Sequence, residues 1–409
     1  MEAVTEGSGS YRFLAVAAIL LLASVLWGVH SARQRPAFSS AQLYGEAISL
    51  MTPASGEPEL RLAAQALKEA LAQSPNYLPA LRARLDVFLR LYETTADPRS
   101  LADARKALQR ATAAGLDKSQ GALYLAKIDL HAGLNSAVVH NLASYPALLA
   151  SSGEANRLLG RALEASGRLP EALSSYRAAV RLSPESWLCH NDLAAVLRTL
   201  GQLEEAGQQL REVTRLNPDS PAGYSNLGVA LLEAGKLEDA QQNFEMALER
   251  RIAPETYFDL GIATYYGRRY ASAIPFFQSA IRLRPQSDEY VAALADALWH
   301  SGNRNAARQA YSQALGLLDQ SERSRPLDTE QRCRRALCFA RLGDFDSARS
   351  ALNAPTTADP QDQTVLYTAA VIAVLEGHRA AAKEHIANAL RQGYPAGLAK
   401  VDPDLKDLF

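Results

Sequence analysis

The chain has 409 residues, 48% hydrophobic and 21% charged, with a formal net charge of −1. That composition supports a large core and excludes general disorder, and the near-neutral balance argues against a general nucleic-acid binder, which needs a basic footprint. The three cysteines, Cys189, Cys333 and Cys338, form no Cys-x-x-Cys pair. Cys333 and Cys338 fall on different faces of one predicted helix, so no bridge is expected and all three read as small buried residues.

Residues 1–12 are a polar tail. Phe13 to Val29 follows without a charge, and Trp27 sits near its far end, where an amphipathic ring suits a membrane interface. The run is at the short end for a span but adequate, so residues 13–29 are expected to be one transmembrane anchor. A cleaved signal peptide is the competing reading, with Val29-His30-Ser31 an unconvincing cleavage site. A core helix is disfavoured, because the segment lies outside the repeat register found further on. Orientation stays open. Arg12 on one side against Arg33 and Arg35 on the other leans faintly towards cytoplasmic repeats. A short N-terminal anchor before a large domain instead delivers it outside, and an extracytoplasmic, periplasmic domain is the reading adopted.

Residues 30–43, with Pro36, Ser39 and Ser40, read as a linker. Residues 44–152 read as divergent helix pairs. Ala63, Leu67 and Ala70 precede Pro75 in the first pair. Extra residues around Thr94–Ser100 precede Ala104, Leu108 and Ala111 in the second. Residues 116–152 fit worst, with Pro146 where a helix should continue.

From residue 153 one pattern recurs. Small residues stand at Gly160, Ala194, Gly228 and Gly261, spaced 34, 34 and 33. Ala172, Ala206, Ala240 and Ala273 keep the same spacing, as do the bulky Tyr176, Leu210, Phe244 and Phe277. Pro184, Pro218 and Pro285 close three of the four units. In one unit Leu193, Val196, Leu197 and Leu200 share a helical face. Gly201 supplies the backbone freedom that ends that helix. A second helix carries Leu203, Ala206, Leu210 and Val213 on one face, and Asn217-Pro218 stops it. Neither helix buries its stripe alone, so the next copy must cover it. Leu294, Ala295, Gly302, Ala307, Tyr311 and Ala314 continue the register, so residues 153–321 form the regular array. After an insertion near Glu322–Asp328, residues 322–394 carry it on through Ala336, Gly343, Ala348, Leu366, Gly377, Ala382 and Ile386. Residues 395–409 read as a closing segment that lays Leu398, Leu405, Leu408 and Phe409 over the last helix pair.

These residues resemble the tetratricopeptide repeat family, as found in bacterial proteins. Tyr224, Leu227, Gly228, Leu231, Ala240, Phe244 and Ala247 match its pattern, and so do Tyr257, Leu260, Gly261, Ala273, Phe277, Ala280 and Pro285. Ile252 replaces one closing proline and His190 one leading aromatic. The resemblance implies an all-α, right-handed superhelical solenoid of about ten antiparallel helix pairs behind the anchor, with the first helix of each pair lining an inner groove for protein or peptide ligands. Mapped onto this sequence, the groove positions are Arg157, Arg161, Asn191, Arg198, Ser225, Val229, Phe258, Ile262, Tyr265, Tyr266, Asp296 and Trp299. A basic end would grade into an aromatic patch, arginines pairing with carboxylates and aromatics anchoring a peptide. The aromatics equally suit packing between repeats. The family's clamp for a terminal carboxylate is not matched: Asn226 fills one slot, but Asp192 and Asp259 oppose it.

No phosphate loop, His-Glu-x-x-His or Gly-x-Ser-x-Gly is present. His378 and His385 are two turns apart, too far for a simple metal pair, and His190 reads as packing. The run Arg323, Arg325, Arg332, Arg334 and Arg335, interleaved with Glu322, Asp328 and Glu330, reads as a solvated face, with contact to anionic lipid or an acidic partner the minority reading. The expectation is therefore a membrane-anchored scaffold at the cell envelope rather than an enzyme, with no cofactor or metal and no nucleic-acid partner. The alternative is a non-catalytic accessory subunit of an envelope polysaccharide, peptidoglycan or secretion system. Oligomeric state is not written in the residues.

Overall fold

The computed structural model describes residues 38–353 and 362–409. The tail 1–12, the apolar stretch 13–29 and residues 30–37 lie outside the described residues. Among the described residues there are 22 α-helices, one 3-10 turn and no strand, and no helix is long and apolar enough to cross a membrane. The helices fall into two compact units, one ending at Tyr145 and the other starting at Pro146.

The first unit contains α1 (Ser40–Ser49), α2 (Glu57–Gln73), α3 (Leu78–Thr95), α4 (Pro98–Ala113), α5 (Lys118–His131) and α6 (Asn135–Ala143). Helix α1 starts inside the stretch read as linker because Ser39 forms a capping box. Its hydroxyl accepts the Gln42 N–H at 3.3 Å, and the Gln42 side chain accepts the Ser39 N–H at 2.8 Å. Leu60, Leu67, Leu81, Leu85 and Ile128 are completely buried and form the core of this unit.

The second unit contains α7 (Pro146–Ser151), α8 (Gly153–Ala165), α9 (Leu169–Leu182), α10 (Trp187–Thr199), α11 (Leu203–Leu216), α12 (Pro221–Glu233) and α13 (Leu237–Arg250). It continues with α14 (Pro254–Tyr266), α15 (Tyr270–Leu283), α16 (Asp288–His300), α17 (Arg304–Ser324), α18 (Thr329–Leu342) and α19 (Phe345–Leu352). It closes with α20 (Gln363–Leu375), α21 (Arg379–Arg391), α22 (Ala396–Val401) and the turn Lys406–Leu408. Pro146 does not interrupt a helix, as the sequence suggested. It opens α7, where its missing N–H would have had no partner anyway.

Within three of the pairs the two helices approach closely because a glycine faces a ring. A Cβ added at Gly160, Gly228 or Gly261 would stand 2.6, 2.5 or 2.6 Å from Tyr176, Phe244 or Phe277. Those three rings are completely buried. Each second helix then packs on the first helix of the following pair, which covers the stripe the pair could not bury alone. The turns inside the pairs use glycines at positive φ, including Gly167, Gly201, Gly235, Gly302, Gly343 and Gly377, whereas Arg268 holds that place in one pair at φ 59°. Helix α17 runs to Ser324, so the extra residues before the next pair are largely a lengthened helix. Asp328 and Gln331 then cap α18 reciprocally.

Three polar sites clarify the packing. The cysteines are free and buried. His190 is buried as a packing residue, with its ring nitrogens 2.7 Å from Gln209 Oε1 and 2.9 Å from the Pro184 carbonyl. The arginine run is not a solvated face throughout. Arg332 is buried, Arg334 pairs with Asp288 at 2.8 Å, and Arg335 bridges Asp319 and Glu322, each at 2.8 Å. Alternation of sign along the sequence had suggested water-facing pairs, but these partners come from other helices.

Candidate partner-binding face

The first helices of the second unit, α8, α10, α12, α14, α16, α18 and α20, form one face. Neighbours along this series touch each other, among them α8 with α10 and α18 with α20. The face curves, because α22, which follows α21 at the far end, returns to pack on α12.

At its N-terminal end, polar side chains join consecutive first helices. Arg157 of α8 meets Asp192 of α10 at 3.0 Å. Asn226 of α12 donates to Asn191 Oδ1 at 3.0 Å, and Arg198 grips Glu233 with two hydrogen bonds of 2.9 and 2.6 Å. The Ser225 and Thr256 hydroxyls lie 3.2 Å apart. The basic residues expected to meet a ligand are thus mostly paired within the array, and of them Arg161 alone is exposed. Asp259, also on this face, is pushed up to about 7 by burial, with Glu289 and Glu255 adding to the shift and Arg198 opposing it.

The aromatic end is covered. Phe258 stacks on Tyr290 with centroids 4.9 Å apart, Tyr265 is buried, and Tyr265 meets Tyr266, Tyr270 and His300 edge-on. Val229, Ile262 and Tyr266 pack beside Leu398 and Val401 of the closing segment. Trp299 packs on Tyr311 and lies under the Arg304 guanidinium, 3.7 Å from its ring centre.

The closing segment therefore does more than cap the last pair. Leu405 is fully buried among Leu366, Ala370, Ile386 and Ala389, and Leu408 packs there too, as the sequence suggested. Leu398 instead crosses to α12 and α14, and Phe409 is 55% exposed. The crossing needs glycine, since a Cβ at Gly397 would lie 2.5 Å from both the Ala234 carbonyl carbon and the Glu233 oxygen.

Where the segment passes over α14, α16, α18 and α20 it closes a chamber of about 80 Å3, lined by Tyr265, Tyr266, Asp296, Arg341, Tyr367 and Asp402 among others. Arg341 is its centre and is 6% exposed. It donates to Asp404 through both terminal nitrogens, one at 3.1 Å, and to Asp296 Oδ1 at 3.3 Å. The Tyr367 hydroxyl donates to Asp402 at 2.6 Å, and Tyr311 donates to Asp296 at 2.6 Å. Burial pushes Asp402 up to about 7, with repulsion from Asp404 second, and burial also raises Asp296. Burial works against the Arg341 charge, but Asp404 and Asp296 outweigh it and hold its pKa above the usual value. Beside them, burial lowers the pKa of His300.

The sequence map of the groove contained Tyr266, Asp296 and Trp299 but missed Arg341, His300, Tyr367, Asp402 and Asp404. A signal for two of these existed. Tyr266 and His300 stand two residues before the turn positions Arg268 and Gly302, and Arg341 stands two before Gly343. Carrying the register across the lengthened α17 finds it.

Between the two ends, Arg198, Thr199 and Glu233 face the loop from Gln392 to Gly397 across a cavity of about 830 Å3, which Gln363 and Leu390 also line. A recess of that size suits a bound side chain cluster or short peptide. Among the described residues no group of His, Cys, Asp and Glu is placed to hold a metal ion.

A family model for the tetratricopeptide repeat matches residues 142–186, 157–221, 191–256 and 225–288, and a second of the same description matches 267–327. Residues 142–327 carry tetratricopeptide repeats. Solved structures similar to this chain include MamA, residues 41 to its end, from Desulfovibrio magneticus RS-1. It is 20% identical, covering 42% of this chain and 96% of that one at a TM-score of 0.39. A tetratricopeptide repeat protein from Parabacteroides merdae is 17% identical, covering 62% and 97% at 0.46. The Pseudomonas aeruginosa protein pilF is 23% identical, covering 49% and 88% at 0.39. Comparison with curated proteins gives no match. A tetratricopeptide scaffold of this kind is consistent with protein–protein interaction.

Proposed function

We propose that this chain is a tethered tetratricopeptide scaffold that binds polypeptide partners on the first-helix face of its second unit and holds them at the cell envelope. It works by binding and positioning, without covalent chemistry. The observation that carries the reading is the recess of about 830 Å3 on that face, flanked by the Arg198–Glu233 pair and by exposed Ala195 and Thr199. Such a mixed recess offers a peptide both hydrogen-bonding groups and apolar wall. The tether in this proposal is the charge-free run Phe13–Val29, and the repeats face the extracytoplasmic side.

Affinity recovery of the full chain from detergent-solubilised membranes tests the partner claim. A polypeptide recovered with the unaltered protein and lost with Thr199→Trp, which fills the recess, supports it. Recovery that ignores the substitution ends the assignment to this face. Proteolysis of intact against opened cells tests the side: repeats cleaved only after opening the inner membrane would place them in the cytoplasm and overturn the extracytoplasmic reading.

A further inference from the structure

The closing segment sits on the aromatic half of the face as a ligand would. Leu398 and Val401, three residues apart on α22, enter the apolar cluster of Leu227, Leu231 and Leu260 beside Ile262 and Tyr266. Asp402 then takes the Tyr367 hydroxyl, and Asp404 takes two nitrogens of Arg341. The backbone at Asp402 and Asp404 is held in a tight turn, with the Asp404 N–H donating to Asp402 Oδ1 at 2.8 Å. The receptor side supplies a planar, always-charged fork, which suits a carboxylate held by two hydrogen bonds. It supplies an apolar patch at the spacing of one helical turn. A close backbone approach at Gly397 also sets the start of α22 against α12.

We propose that this half of the face is a docking site for an acidic peptide of a partner protein, with two aliphatic residues three apart followed directly by Asp-x-Asp, and that residues 396–404 occupy it in the free protein. The proposal rests on the scaffold reading above and names the partner chemistry and its regulation. A partner segment of this kind competes with the chain's own, so binding is gated by release of α22. The recess beside Arg198 and Thr199 borders Ala396 and Gly397 of the same segment but shares no lining residue with the chamber at Arg341, so the two claims are told apart by Thr199→Trp, which fills the recess alone, and by the two aspartates of the peptide, which are read at Arg341 and Tyr367.

The test uses the full chain with Gly397→Val, which sets atoms against the α12 backbone while leaving Arg341, Tyr367 and the apolar cluster unaltered. Leu398→Asp gives a second, independent release. The probe is a fluorescent peptide of sequence AGLAKVDPDLKDLF, residues 396–409, read by anisotropy, and hydrogen exchange at Ala396–Asp404 reports release. Both variants should bind the probe at least tenfold more tightly than the unaltered protein. The same peptide carrying Asp402→Asn and Asp404→Asn should bind them at least tenfold more weakly. Equal binding to released and unaltered protein, or indifference to the asparagines, overturns the proposal. So does loss of helical structure in both variants, which would make the segment part of the core. Concentration-dependent dimers that exclude the probe would assign the site to a second copy's segment and overturn it as well.

Discussion

The glycine-against-ring pairing makes a quantitative prediction at Gly228. A Cβ there would stand 2.5, 2.7 and 2.9 Å from three atoms of the Phe244 ring, and that ring has no exposed surface into which to move. Overpacking of this kind costs about 1–3 kcal/mol, while replacing a mid-helix glycine by alanine returns up to about 1 kcal/mol. Gly228→Ala should therefore destabilise by about 1–2 kcal/mol, or lower Tm by about 3–6 °C for a unit of this size. The chain contains its own compensated version: Ala194 faces the smaller Leu210 in the preceding pair, and both are buried. Adding Phe244→Leu to Gly228→Ala should recover part of the loss, giving a coupling of about 1 kcal/mol or more. Gly316→Ala, on an exposed stretch of α17 with nothing within 4 Å of the added Cβ, is the control and should stabilise. Urea unfolding of the parent, Gly228→Ala, Phe244→Leu, their double and Gly316→Ala measures all of this. A Gly228→Ala protein as stable as its parent, or a double variant whose losses simply add, would refute the steric account. Ala295 opposite Tyr311 does not contradict it, because Tyr311 bonds Asp296 in the next position whereas Tyr176 bonds Glu164, a turn further on.

Arg268 holds a left-handed conformation where the other pairs have glycine, so Arg268→Gly should raise stability by about 1 kcal/mol in thermal unfolding. Asp259 is pushed up to about 7, against roughly 3.9 for an unfolded aspartate. The folded chain thus keeps a proton between those values that the unfolded chain releases, and stability must rise as pH falls through 7 towards 4. Asp259→Asn should be the more stable protein at pH 8 and lose that part of the slope, as urea midpoints at pH 8 to 5 will show; parallel curves for the two proteins would argue against it. Arg341→Met leaves Asp296 and Asp404 without their guanidinium and should cost about 3–5 kcal/mol unless the closing segment leaves its seat. Hydrogen exchange at residues 396–404 distinguishes release from unfolding.

The repeat register was legible because its determinants are local. Each pair needs a small residue one helix-length from a bulky one, a turn that tolerates positive φ, and a stop, and the small and bulky positions recur at fixed spacing from Gly160 to Phe277. Elements set by distant partners were not legible. Helix α1 is the exception, a local element missed because its capping pair Ser39 and Gln42 lies where Pro36 and two serines suggested a linker. Arg334 looked solvated because its run of arginines is interleaved with Glu322, Asp328 and Glu330, yet it pairs with Asp288 on another helix. The groove aromatics were placed on the correct helices. That Tyr265 and Tyr266 lie beneath the closing segment follows from a contact between Gly397 and α12, and no periodicity encodes it.

The polarity of the seat bears on what the closing segment is for. Three carboxylates, Asp296, Asp402 and Asp404, crowd around one guanidinium and an imidazole whose own charge burial disfavours. Removing such charges from water is expensive, and well-packed apolar residues of similar volume hold a permanent contact at least as well. The final pair shows that this chain can do that: Leu405 is completely buried against Leu366, Ala370 and Ile386 with no charge involved. An apolar clasp at the end and a charged one in the middle are therefore different devices in one short segment. Leu405 anchors the segment to the last pair, while the Asp402–Asp404 turn specifies where the preceding stretch docks and lets it leave with its charges rehydrated. The geometry favours a hinge about the anchored end, with the face between α12 and α20 alternating between its own acidic turn and another.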